Sequence, residues 1–123
     1  MRFLLLIFLF AACGVSSFAA DVGKSQTLSG YLVDVACASE NMKKPDPKFP
    51  VNHDKKCLKM SDCQKSGYAV LTNDNKLYKF DANGNEDAKK LIDLTNKDKD
   101  WKVTVTGPVE GDNITVSSLM LQK

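Results

Sequence analysis

The stretch WKVTVTGPV, residues 101–109, alternates without a break. Trp101, Val103 and Val105 take one face; Lys102, Thr104 and Thr106 take the other. A period of two belongs to a β-strand with one buried side, whereas a helix would scatter those apolar residues around its axis. Shorter segments repeat the theme. TLSGYLVDVA, residues 27–36, carries Tyr31, Val33 and Val35 on alternate positions. YAVLT and KLYKF flank NDN, the signature of two strands around an Asn/Asp turn. ITVSSLMLQ closes the chain as a last strand. Ile114 and Val116 share one face and Leu119 and Leu121 the other, so a bulge is expected near Ser117 or Ser118.

The segments between these strands read differently. DANGN stops the third strand, and EDAKKLIDLT places Ala88, Leu91, Ile92 and Thr95 at helical spacing. DANGNED, residues 81–87, lacks the residue order and closing Glu of a calcium loop and reads as a strand-to-helix turn. CASENMKKPDPKFPVNHDKK, with three prolines, reads as a long loop. A short helix is expected from about Asp54 to Gln64, ended by Gly67. The predicted fold is therefore all-β with one or two short helices. It is a five-stranded OB-like Greek-key barrel with its helix between strands three and four, and a thiol-bearing loop at residues 37–66. Closing the sheet removes the exposed edges of such short strands.

The succession GYLVDVAC, HDKKC, a further Cys, SGYAVL, KLYKFD and KVTVTGPVEGDNITVSSL resembles a loose group of small exported bacterial proteins of unknown function. Their pattern is G-x-x-x-D-x-x-C near the first strand, then a His and two Cys, then a β-rich remainder. The likeness spans nearly all of the chain after its first 19 residues. It implies a small exported OB-like domain and brings no catalytic residue with it.

The N-terminus supports export. Arg2 precedes an apolar run from Phe3 to Phe10, and Ser17 and Ala19 supply small residues at −3 and −1 of a cut after Ala19. The run is shorter than the roughly 20 residues that span a bilayer. Residues 1–19 thus read as a signal peptide and 20–123 as one domain, in the periplasm or outside the cell. The alternative is a lipoprotein anchored through Cys13, where FAAC loosely resembles a lipobox. No later segment is apolar enough to cross a membrane. Without Arg2 the chain holds sixteen Lys, no Arg and fifteen acidic residues. Near-neutral charge without a guanidinium excludes an ordinary nucleic-acid binder. No phosphate loop is present, and a lone histidine cannot build the familiar zinc hydrolases. A non-catalytic binding or envelope-associated module is expected, with an unidentified ligand or envelope protein as partner. It is expected to be monomeric, with a disulfide-linked dimer as the alternative.

Chemistry concentrates in Cys37, His53, Cys57 and Cys63. In an oxidising compartment a Cys37–Cys63 or Cys37–Cys57 disulfide would clamp the proline-rich segment, stabilising by about 3 kcal/mol. No cofactor is then needed. The competing expectation is a zinc or copper site built from all four residues. Asp34 is a candidate to orient His53, or simply faces water or caps the loop. Lys55, Lys56 and Lys59 offer a third expectation, a Cys57 thiol activated beside His53. Met42 and Met60 are candidate thioether ligands or packing residues. Of Tyr31, Tyr68, Tyr78, Phe80 and Trp101, at least half should be core and the rest are available as a binding face.

Overall fold

The computed structural model describes residues 23–123. The expected signal peptide and Cys13 lie outside the described residues. Ten residues, Ser25–Asp34, form β1, and from there the chain enters α1 (Val35–Lys43), α2 (Phe49–Asn52), α3 (Lys55–Leu58) and α4 (Ser61–Ser66). Strands β2 (Tyr68–Thr72) and β3 (Leu77–Phe80) follow, then α5 (Ala82–Leu94), β4 (Lys102–Glu110), β5 (Asn113–Ile114) and β6 (Ser118–Leu121). Strands β1 to β5 close a barrel in the order β1–β2–β3–β5–β4–β1, with a parallel β3–β5 pair and the rest antiparallel. Strand β6 adds a sixth member beside β4. Among the described residues no helix is long and apolar enough to cross a membrane.

Three expectations need correction. The last strand is two strands: four residue steps from Ile114 to Ser118 face only three from Val109 to Thr106. That extra residue is the bulge the parity change called for. Residues 37–66 are not a loop but carry most of α1 and all of α2, α3 and α4, so the β-barrel carries more helix than the all-β expectation allowed. Helix α5 begins at Ala82, not after Asn85. Asp81 caps it, accepting from the Gly84 N–H at 3.0 Å, and the same oxygen accepts from Val116 N–H at 3.1 Å. Gly84 permits that approach: a Cβ there would lie 2.4 Å from Val116 Cγ2 and 2.9 Å from Phe80 Cβ.

Two apolar clusters explain where the helices sit. Leu32, Tyr68, Val70, Trp101, Val103, Val105 and Ile114 fill the barrel, and Leu58, Ala88 and Ile92 close over it from α3 and α5. Val33, Ala69 and Leu71 point the other way and, with Leu77, meet Ala38 of α1 and Phe49 of α2. Strands β1 and β2 are thus buried on both faces, as the unbroken apolar run YAVL in β2 would require. The outer cluster seats the helical excursion against the wall of the barrel. Tyr68 ties α3 to the barrel by donating its phenol to the Leu58 carbonyl at 2.7 Å.

Candidate functional site

Asp34 shares the phase of Leu32, whose side chain lies in the barrel core, and is itself fully buried at the end of β1. It does two things there. Its Oδ1 accepts from the Cys37 N–H at 2.9 Å, capping α1. Its Oδ2 lies 2.6 Å from Nε2 of His53, which is also buried. An ionised aspartate only accepts, so Nε2 carries the hydrogen and Nδ1 is the nitrogen with a free lone pair in the neutral ring. The imidazole is further held by the Phe49 ring, with centroids 4.9 Å apart. Desolvation alone would raise the Asp34 pKa. The hydrogen bonds from His53 and the Cys37 N–H, with the attraction of the imidazole, outweigh it and hold the carboxyl below its ordinary 3.8.

The thiols come from three helix starts. Cys37, Cys57 and Cys63 are each the third residue of α1, α3 and α4. Asp54 caps α3 as Asp34 caps α1, accepting from the Cys57 N–H at 2.8 Å. The start of α1 is tied to the end of α4 by a backbone hydrogen bond and by the Ser66 hydroxyl. Val35 N–H donates to the Gly67 carbonyl at 2.9 Å, Ala36 N–H to Ser66 Oγ at 3.1 Å, and Ser66 Oγ–H to the Cys63 carbonyl at 2.7 Å. Gly67 makes the junction possible, with φ of +85° at the end of α4. The stitching brings Cys37 Sγ and Cys63 Sγ to 3.9 Å. One ligand atom from each of Asp34, Cys37 and Cys63 then lies within 4.8 Å of the others.

Several expectations change here. The anticipated disulfide is not formed: 3.9 Å is contact between thiols, far beyond the S–S bond of about 2.05 Å, and Cys57 is bonded to neither neighbour. Asp34 joins the tight group itself, and of the four expected ligands His53 and Cys57 stay outside it. Cys57 instead lines an open hollow of about 620 Å³ together with Cys37, His53, Glu40 and Asp46. The ionisable residues of that lining are thiols, carboxylates and the imidazole; none of the chain's lysines is among them. Cys57 is not an activated thiol. Burial first, then the neighbouring Asp54, pushes its pKa up. Lys55 Nζ is engaged by the Thr95 carbonyl at 2.8 Å and Lys59 Nζ by Asp93 at 3.0 Å. Burial also raises Cys63, and raises Cys37 to about 12, with the Asp34 charge next in size for both. Thiols held protonated are poor nucleophiles at neutral pH.

Met42 and Met60 are exposed and belong to neither core cluster. Tyr68, Phe80 and Trp101 are core, whereas Tyr31 and Tyr78 are partly buried. A signal for the arrangement is present in the chain: D-x-x-C occurs twice, at residues 34–37 and 54–57. Each is an Asp helix cap followed by a Cys in the first turn, so each predicts where a thiol points relative to a carboxylate. No family model, no curated protein and no solved structure matches this chain in comparisons with known proteins.

Proposed function

We propose that this protein is an exported, OB-like carrier of a thiophilic cation, with zinc as its first cargo. The observation that carries the reading is the grouping of two sulfurs and a carboxylate oxygen within 4.8 Å of one another, with Asp34 and Cys63 buried and Cys37 half-buried. Sulfur donors suit zinc and copper(I) alike, whereas the carboxylate oxygen in the same group favours zinc. The absence of any lysine from the lining of the hollow, whose ionisable residues are Cys37, Cys57, Glu40, Asp46 and His53, adds to this, since carboxylates attract cations. His53 supports the site by fixing the orientation of the Asp34 carboxylate, as partners of metal-ligating groups commonly do. The OB-like reading is supported by the strand order and by α5 between β3 and β4. Export is supported by the layout of residues 1–19 and by the resemblance to small exported proteins.

The test is metal stoichiometry. The reduced protein, mixed with zinc and separately with copper(I) and then desalted, is weighed intact under native conditions. One zinc per chain, lost in Cys37→Ser and Cys63→Ser, is the expected result. Copper(I) retained in place of zinc would reassign the cargo, and retention of neither would overturn the reading.

A further inference from the structure

The thiols are graded from open to buried. Cys57 and Cys37 are half-buried and line the hollow, Cys37 also touches Cys63, and Cys63 and Asp34 lie behind, with His53 buried although its edge lines the hollow. Of the tight group only Cys37 reaches the hollow. Three protein donors leave a tetrahedral cation one position short, and a position left open is where zinc exchanges ligands. Helix α3 presents Cys57 on that side from a firm seat: Lys55 N–H donates to the Asp98 carbonyl at 2.7 Å, and Asp54 caps the first turn. A third thiol lining the same hollow as Cys37, on the accessible side, has no place in a purely structural site.

Resting on the cation-binding reading above, we infer that Cys57 is the exchange ligand, through which zinc passes between the buried group and an external thiol-bearing acceptor. In the outward step the Cys57 thiol bonds to zinc at the open position and passes its proton to the Cys63 sulfur as the zinc–Cys63 bond breaks. Acceptor thiols then replace Cys37 and Cys57 one for one, each incoming thiol giving its proton to the sulfur it displaces, and water replaces Asp34. No electrons move, and the charge is conserved. Inward loading is the reverse. The protein thereby acts in delivery, and Asp46 in the lining draws the cation to the hollow, whereas the Glu40 charge is offset by Lys43 at 2.8 Å.

The experiment compares the zinc-loaded full chain with Cys57→Ser and Cys63→Ser. Zinc stoichiometry is read by native mass, and transfer is followed to two acceptors, the coloured chelator pyridylazoresorcinol and the dithiol dithiothreitol. Cys57→Ser is expected to keep one zinc per chain and to transfer it about ten-fold more slowly, a barrier increase of about 1.4 kcal/mol. Cys63→Ser is expected to hold no zinc, while its metal-free unfolding curve shows that it folds. Transfer from Cys57→Ser at the parent rate overturns the exchange role and leaves the binding site standing. Loss of zinc from Cys57→Ser also overturns it, by making Cys57 a resident ligand. Absence of zinc from the parent chain overturns both readings.

Discussion

Nε2 of His53 meets Oδ2 of Asp34 at 2.6 Å with both side chains essentially removed from water. Neither partner can be deleted cheaply, because the survivor would remain buried without its mate. His53→Ala is expected to destabilise the protein by about 3–5 kcal/mol. Asp34→Ala should cost at least as much, since it also uncaps α1. Asp54→Ala is the matched control: it removes the same cap from α3 without a buried partner and should cost about 0.5–2 kcal/mol. Urea unfolding of the single and double variants at neutral pH checks this. Strictly additive losses for Asp34 and His53 would show that the pair is not coupled.

Alkali should unfold the protein in two overlapping steps. The Cys37 thiol is raised from 9.0 to about 12 and the Tyr68 phenol from 10.0 to about 12, each first by burial. Both groups are neutral when protonated, so the unfolded chain loses these protons first as pH rises. Stability is therefore full below pH 9 and falls between the unfolded and folded values. Cys37→Ser should remove the earlier part of the loss and Tyr68→Phe the later part. Unfolding free energies measured from pH 8 to 12 decide it; a flat profile for the parent chain contradicts the assignment.

On the acid side the sign reverses. Asp34 is held below its ordinary 3.8, so its contribution is present above that pH and disappears as pH falls through the lower folded value. Asp34→Asn should flatten the acid limb of the stability curve. An unchanged limb would place the acid sensitivity elsewhere.

Zinc should protect the fold it binds. At free zinc one hundred times the dissociation constant, stabilisation is about 2.7 kcal/mol. In a domain of this size that raises the melting temperature by about 10–20 °C. Calorimetry of the parent chain with and without zinc checks the shift, and Cys37→Ser and Cys63→Ser should show little of it.

Gly84→Ala tests the docking of α5. The new methyl would enter the space of Val116 Cγ2 and Phe80 Cβ, and overpacking of this kind costs about 1–3 kcal/mol. Zinc stoichiometry should be unaffected, because Gly84 lies outside the tight group. A neutral effect on the unfolding midpoint would mean that α5 moves aside at little cost.

Much of the architecture was legible because it is periodic. The alternation of Trp101, Val103 and Val105 placed them in the core, and all three are fully buried. The parity break between Val116 and Leu119 announced the bulge, and the NDN turn lies between β2 and β3. The start of α5 was hidden because Asn83, Gly84 and Asn85 are poor helix formers by themselves. Asp81 and the close fit against Val116, far along the chain, hold them helical. Helix α1 was hidden likewise. Its support is a second apolar layer on the outside of β1 and β2, which local spacing does not reveal.

By itself the order of residues determined most of the strands, the inward face of β4 and the short inventory of thiol, imidazole and carboxylate donors; β1 turns Leu32 and Asp34 inward and Tyr31 and Val33 outward, the reverse of what its alternation suggested. Only tertiary structure decided which donors meet. Asp34 was drawn into the group and Cys57 left at its mouth, because the meeting of β1, α1 and α4 is set by packing on the barrel wall. Spacing along a chain governs neighbours within one helix or strand. Distances between elements follow from burial of their apolar faces, and those faces belong to residues far from the site.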